Sequence, residues 1–154
     1  MKGLLVIALL MLTCPIAGGA EAWKTTRGGK QFVAVDVFVD SGNRPLAAYQ
    51  LRFKATQGDV KIVGIEGGEP TAFSNPPAYD PKAMQRDHVI VAAFSTLAAE
   101  KLPSGRVRVA TVHVQTSGTK EPKFSVELTT AGTVGGAKIN ATTDAKERNA
   151  DAKQ

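Results

Sequence analysis

The sequence predicts an all-β domain of the sandwich or barrel type, and three observations support this prediction. Segment after segment alternates apolar and polar residues with a period of two, which is typical of strands with one buried face. Turns rich in Gly, Pro, Asn and Asp separate these segments. After the N-terminal region, no window of ordinary helix length carries a helical apolar stripe. Many short strands joined by such turns are typical of a sandwich or barrel.

The first two predicted strands show the alternation most clearly. Residues 31–40 place four valines on one face, and residues 46–55 alternate Tyr, Leu and Phe with polar side chains. We expect the apolar faces to lie in the core and the polar face of the second strand to meet water or a partner. That polar face consists of Gln50, Arg52 and Lys54.

Further strands follow along the chain. Residues 88–95 are a nearly continuous apolar run, which predicts a strand buried on both faces or near the sheet centre. Within the next strand the apolar phase changes between Val109 and Ala110, which indicates a β-bulge. The other segments predicted as strands are 60–65, 106–116, 124–130 and, as a last short strand, 137–142.

Two segments differ from the strand pattern. The segment from Glu66 to Asp87 holds four prolines and is too long for a hairpin turn, and loops of this length are often functional. Residues 143–154 are polar and charged without a large apolar side chain, so we expect a disordered, flexible tail. The predicted domain therefore covers residues 23–142.

The N-terminus predicts export. Residues 1–22 contain Lys2, an apolar run over 4–12 and small residues over 17–22, which is the order of a secretory signal. Cleavage is expected after Ala22, with Ala20 fitting nearly as well. The apolar run is shorter than the about 20 residues that span a bilayer, so no transmembrane span is expected after signal removal. The expected location is periplasmic or extracellular, and lipidation at Cys14 is the alternative route to the envelope.

Composition narrows the function further. Cys14 is the single cysteine and lies in the signal, so the mature chain is expected to fold without a disulfide. The formal net charge of +5 is carried by scattered Lys and Arg residues. Nucleic-acid binding needs a clustered basic patch, so we expect no nucleic-acid partner.

Residue patterns for catalysis are missing. His88 and His113 lie far apart without neighbouring ligands at metal-binding spacing, and no Gly-x-Ser-x-Gly motif occurs. The glycine-rich stretches lack the Lys-Ser/Thr of a phosphate loop. We interpret the acidic residues around the long loop as solvated; they are Glu66, Glu69, Asp80 and Asp87. We therefore expect no enzyme, no catalytic residue, no metal and no cofactor.

The order of the segments resembles the cohesin domain of cellulosome scaffold proteins and the wider group of cohesin-like, carbohydrate-binding jelly rolls. The resemblance covers residues 31–142, including the Leu46–Phe53 strand and the Val60–Ile65 strand with its exit at Gly67 and Gly68. The remaining similar segments are Val33–Val39, Val89–Ser95, Ser104–Gly105, Val109–Val114, Phe124–Leu128 and the glycines at 132, 135 and 136.

The resemblance implies a nine-stranded jelly-roll β-sandwich that recognises a protein on one sheet face. In cohesins this partner is a dockerin. The family's tyrosine–aspartate pair after the second strand is replaced here by Ala55-Thr56-Gln57. The partner-binding residues expected on this basis are Gln50, Arg52, Lys54, Ser125 and Glu127.

Two other binding functions stay open. Exposed aromatic rings stack on sugars, so Trp23, Phe73 and Tyr79 are the candidates for a polysaccharide site. Alternatively, the protein is a structural subunit of an envelope or surface assembly, and exposed sheet edges join it to an envelope component. The sequence does not name the ligand in any of the three cases.

Overall fold

The computed structural model of the protein describes residues 29–148. Antiparallel strands dominate this part of the chain, and its helical content is limited to three single 3₁₀ turns. None of its helices is long and apolar enough to cross a membrane. The strands are β1 (Gln31–Asp40), β2 (Ala48–Gln57), β3 (Asp59–Gly67), β4 (Ala78–Tyr79), β5 (His88–Phe94), β6 (Arg106–Ser117), β7 (Lys123–Gly132) and β8 (Thr142–Glu147).

The strands form two four-stranded sheets. Sheet I has the order β3-β6-β1-β8 and sheet II the order β4-β5-β2-β7. Alternate residues of both sheets contribute to one cluster of buried apolar side chains, which is the core. The all-β prediction is confirmed, and the arrangement is that of a β-sandwich. Eight strands occur in residues 29–148, against the nine that the resemblance implies.

The predicted bulge in β6 is confirmed. Val37 of β1 stands opposite Ala110, whereas the next residue, Phe38, stands opposite Arg108. Val109 is therefore the extra residue, and it has no partner on β1. The hydroxyl of Tyr49, in sheet II, donates a hydrogen bond of 3.0 Å to the Val109 carbonyl. This buried bond ties the two sheets together at the bulge.

The apolar run of β5 is covered on one face only. Val89 and Val91 are fully buried, but the side chain of Ile90 is 45% exposed and that of Phe94 is 77% exposed. Of the two alternatives predicted, burial on both faces is therefore wrong, whereas a position inside the sheet is confirmed, since β5 lies between β4 and β2. An apolar run records hydrophobicity without recording which faces are covered, and here only sheet I lies against the strand.

The end of the chain contradicts the predicted tail and the predicted last strand. Residues 137–141 contribute only an isolated bridge between Lys138 and Gly132, whereas residues 142–147 form β8. The prediction of a flexible tail is thus wrong for residues 143–147; residues 149–154 lie outside the described part. β8 forms its ladder with β1, where Glu147 stands opposite Val35. Backbone hydrogen bonds and ion pairs hold it, rather than the large apolar side chains that the prediction required.

Two arginine–carboxylate pairs fix β8 to sheet I. Arg106 donates two hydrogen bonds to Asp144, at 3.0 and 2.6 Å. Arg148 donates to both carboxylate oxygens of Asp36, at 3.1 and 2.5 Å. Burial would raise the pKa of Asp36, but hydrogen bonds from Arg148 and Thr111, together with the charges of Arg148 and Arg108, hold it below its ordinary value.

The proline-rich loop closes one side of the sandwich. Gln85 donates its N–H to the Ile62 carbonyl and Arg86 accepts from the Ile62 N–H, both at 2.8 Å, so this segment covers the edge of β3. The two residues of β4 then cover part of the edge of β5. Gly67 and Gly68 permit the loop to begin, because a Cβ on Gly68 would lie 2.2 Å from the Arg108 carbonyl oxygen.

The predicted signal at residues 1–22, with Cys14, lies outside the described residues. Export and lipidation therefore stay predictions.

Candidate functional site

Sheet II has one outward-facing surface, which we call the sheet II face. Its central strand, β2, contributes Gln50, Arg52 and Lys54, while the alternate residues Leu51 and Phe53 are fully buried. The period of two predicted this division. The outward-facing residues of the neighbouring strands are His88, Ile90, Ala92 and Phe94 on β5, and Lys123, Ser125 and Glu127 on β7.

The structure brings all five predicted partner-binding residues together. Arg52 stands directly opposite Glu127, and Lys54 stands opposite Ser125. Gln50 occupies the next outward position on β2. Directly opposite residues on one face have Cβ atoms about 5 Å apart, so these side chains form one continuous polar area. Their role in binding stays a prediction.

Sequence reasoning missed the apolar half of the face. Ile90 stands opposite Arg52 on the side away from Glu127, and Phe94 stands opposite Ala48. Both side chains are exposed, Phe94 at 77%. Ile90 therefore adjoins the charged residues, whereas Phe94 lies at the far end of the face from Lys54. The signal was present in the sequence, since Ile90, Ala92 and Phe94 share one phase of β5.

A shallow depression lies at the Phe94 end of this face. Its volume is about 200 Å³, and it forms where the proline-rich loop meets the end of β5. Phe94 and Asn75 are among the residues that line the depression. The remaining lining residues are Ala72, Phe73, Pro76, Pro77, Ala78, Ala92 and Ala93.

The charged residues of the sheet II face differ in whether they form an ion pair. Nδ1 of His88 lies 2.7 Å from a carboxylate oxygen of Asp87. That hydrogen bond, with the nearby charges of His88 and Lys54, lowers the pKa of Asp87. Arg52 and Lys54 are exposed and belong to no ion pair within 4.0 Å among residues 29–148. Two cationic side chains are thus available to a ligand.

The outer face of sheet I is different, because several of its charged side chains bind one another. Asp36 accepts hydrogen bonds from Thr111 and Arg148, and Arg108 donates to Thr111. Nε2 of His113 lies 3.0 Å from a Glu66 carboxylate oxygen, although the two are not aligned for a hydrogen bond. These pairs explain the attachment of β8, although the exposed Lys61 and Lys146 on this face also belong to no ion pair within 4.0 Å among residues 29–148.

Two of the three aromatic candidates for sugar stacking are placed by the structure. Phe73 is 2% exposed, because its ring packs edge-on against Tyr49 with the centroids 5.2 Å apart. A buried ring cannot stack on a sugar, so that prediction is wrong for Phe73. Tyr79 is half-buried in β4 and packs against the core. Trp23 lies outside the described residues.

The described residues hold no group of three or more His, Cys, Asp and Glu side chains placed to bind a metal ion. His88 belongs to sheet II and His113 to sheet I, on strands that are not neighbours. The two histidines therefore do not form a shared site.

No family model, curated protein or solved structure matches the chain.

Proposed function

We propose that the protein is an exported, non-catalytic binding module of the cohesin-like type that recognises a partner protein through the sheet II face. The observation that carries this proposal is that one sheet face exposes both apolar side chains and unpaired cations: Ile90 stands opposite Arg52, and Phe94 stands opposite Ala48 at the other end of the same face from Lys54. Protein interfaces commonly combine apolar and aromatic anchors with Arg and a polar rim. The surrounding strand ladder holds these side chains on a rigid surface.

The charge of the face indicates the chemistry of the partner. Arg52 and Lys54 favour carboxylates, and Ile90 and Phe94 favour an apolar surface. We therefore infer a partner surface that carries an apolar patch flanked by acidic residues. A dockerin-like module or an envelope component are the two kinds of protein to test first.

The test compares two equally exposed phenylalanines. Phe94 is 77% exposed on sheet II, and Phe32 is 75% exposed on sheet I. The partner is first captured from the native secretome or envelope fraction, identified and purified, and its affinity is measured by calorimetry. We expect Phe94→Ser to weaken binding at least tenfold, since truncation of a central interface anchor costs about 2 kcal/mol or more and tenfold corresponds to about 1.4 kcal/mol. Phe32→Ser should change affinity less than twofold.

The charged half is tested in the same way. Arg52→Glu should weaken binding and reduce its salt dependence, whereas Arg44→Glu, in the exposed turn between β1 and β2, should have little effect. Equal effects of each variant and its control would contradict a site on the sheet II face. Binding unaffected by all four substitutions would contradict it as well.

A carbohydrate-binding module is the second candidate function. The observation that favours it is the depression of about 200 Å³, which is lined by the exposed Phe94 and by the polar residue Asn75; sugars commonly stack on an exposed aromatic ring and hydrogen-bond to polar groups near it. Affinity electrophoresis through polysaccharide gels tests it. Retardation by a glycan that Phe94→Ser abolishes would support it, and unchanged mobility on every glycan would refute it.

A further inference from the structure

Strand β7 forms an edge of sheet II, and part of this edge has no strand paired with it within the described part of the chain. Among residues 29–148, β7 forms a strand ladder with β2 only, and it is the outermost strand. Its last residues are occupied, because the Ala131 carbonyl accepts from the Ile139 N–H at 2.8 Å. The run Lys123–Leu128 has no ladder partner on its outer side among the described residues, although β8 of sheet I lies beside it. The opposite side of the sandwich differs, since the proline-rich loop covers the edges there.

The hydrogen-bonding groups of this run have a known direction. The hydroxyl of Thr143, in β8, donates to the Val126 carbonyl at 3.2 Å, whereas the Lys123 carbonyl accepts from Thr56 on the β2 side. Backbone direction alternates along a strand, so the N–H and C=O groups of Phe124, Val126 and Leu128 point away from β2. The Val126 carbonyl keeps a second lone pair for another donor.

The side chains beside this edge are incompletely covered. Phe124, Val126 and Leu128 point towards the core but are only half-buried, whereas Phe53, on which the Phe124 ring stacks at 5.3 Å, is fully buried. Edge strands are usually protected by charged side chains, a proline, a bulge or a covering segment. The two charged side chains of Lys123–Leu128, Lys123 and Glu127, point to the outer face, so no charge of the run points towards the core; Pro122 precedes the run and the β-bulge at Thr129 follows it.

The charge pattern of the run selects a register for pairing with itself. In an antiparallel pair of identical strands related by a two-fold axis, residues directly opposite each other lie on the same face of the sheet. Their numbers therefore differ by an even number, and one residue stands opposite its own copy at the axis. With Ser125 on the axis, Lys123 stands opposite Glu127 twice, and Phe124 stands opposite Val126 twice. With Phe124 on the axis, Glu121 would oppose Glu127. With Val126 on the axis, Lys123 would oppose the bulged Thr129.

We propose that the β7 edge binds the same edge of a second copy of this chain, antiparallel, with Ser125 on the two-fold axis. Each Phe124–Val126 pair then exchanges both of its N–H···O hydrogen bonds. Lys123 and Glu127 pair across the outer face, and the half-buried apolar row becomes continuous between the two copies. The two sheets II join into one sheet, whose two outer faces point to the same side.

Sedimentation equilibrium of the purified protein over a concentration series tests the proposal. We expect a monomer–dimer equilibrium that Lys123→Glu and Glu127→Lys each weaken about tenfold, because both replace two attractive pairs by two repulsive ones. The double variant should return to within about threefold of the original dimerisation constant. Lys120→Glu, outside the paired run, gives the same change in charge and should have little effect.

Amide hydrogen exchange supplies a second measurement that needs no variant. The Phe124 and Val126 amides should become protected as concentration rises into the dimeric range. A protein that stays monomeric at every accessible concentration would overturn the proposal, as would a dimer in which the double variant fails to restore association. Phe94→Ser should leave dimerisation unchanged, so failure of the dimer and failure of the proposed partner site are separable.

Discussion

The hydrogen bond from Tyr49 to the bulge gives a prediction whose size follows from the structure. Replacement of Tyr49 by Phe removes the hydroxyl but keeps the ring, which is 2% exposed and contacts Phe73. The Val109 carbonyl, which has no partner on β1 because of the bulge, loses its 3.0 Å donor. A buried acceptor left without a donor costs about 1–3 kcal/mol, and no large cavity adds to this. We therefore expect Tyr49→Phe to lower the free energy of unfolding by about 2 kcal/mol.

This loss of stability is measured by urea denaturation, with far-UV circular dichroism as the signal. With an m-value of about 2 kcal/mol/M, the midpoint should fall by about 1 M while m itself stays constant. Tyr79→Phe is the matched control, because the Tyr79 side chain is half-buried and its hydroxyl forms no hydrogen bond within the described residues. That variant should change stability by less than about 0.5 kcal/mol.

An equal response of the two tyrosine variants would refute the reasoning. So would a Tyr49→Phe protein as stable as the original, since the bulged carbonyl would then find another partner at no cost.

Three further predictions concern stability. Gly68→Ala should destabilise the protein by about 3 kcal/mol or more, because the added Cβ would lie 2.2 Å from a backbone oxygen of β6. In the control, Gly135→Ala, the added Cβ meets no atom within 4 Å, so this variant should be near neutral in thermal unfolding. The pKa of Asp36 is lowered in the folded state, so its contribution to the free energy of unfolding is present above about pH 4 and is lost as the pH falls further. Asp36→Asn should therefore flatten the acid side of a curve of stability against pH. Burial raises the pKa of Tyr49, so stability should fall as the pH rises above about 10. Tyr49→Phe should remove this part of the loss of stability at alkaline pH, and urea denaturation at several pH values measures it.

Much of the fold could be predicted because strand patterning is local. The alternating valines of β1 identify its buried face, and the phase change at Val109 identifies the bulge without knowledge of its partner strand. The same periodicity placed Gln50, Arg52 and Lys54 on one outward face.

The remainder depended on contacts between distant residues. β8 is held by Asp36 and Arg106, which lie far from it in sequence, so its own composition gave no strand signal. Phe73 is buried only because the loop folds back onto Tyr49. The exposure of Ile90 and Phe94 likewise depends on the absence of a covering layer over sheet II within residues 29–148, which an apolar run does not reveal.

The pairing of β1 with β8 has a mechanical consequence. The two strands are antiparallel, and the start of β1 lies near the end of β8, where Val35 faces Glu147. Tension applied to the two ends of residues 29–148 would therefore act across β1 and β8. It would separate the paired residues of their ladder one after another, instead of loading all of them at once in shear. The first contacts to carry this load are the Arg148–Asp36 ion pair and the hydrogen bond from the Arg148 N–H to the Ala34 carbonyl. We therefore expect this ion pair, whose Asp36 side chain is largely buried, to resist the first step of unfolding under force.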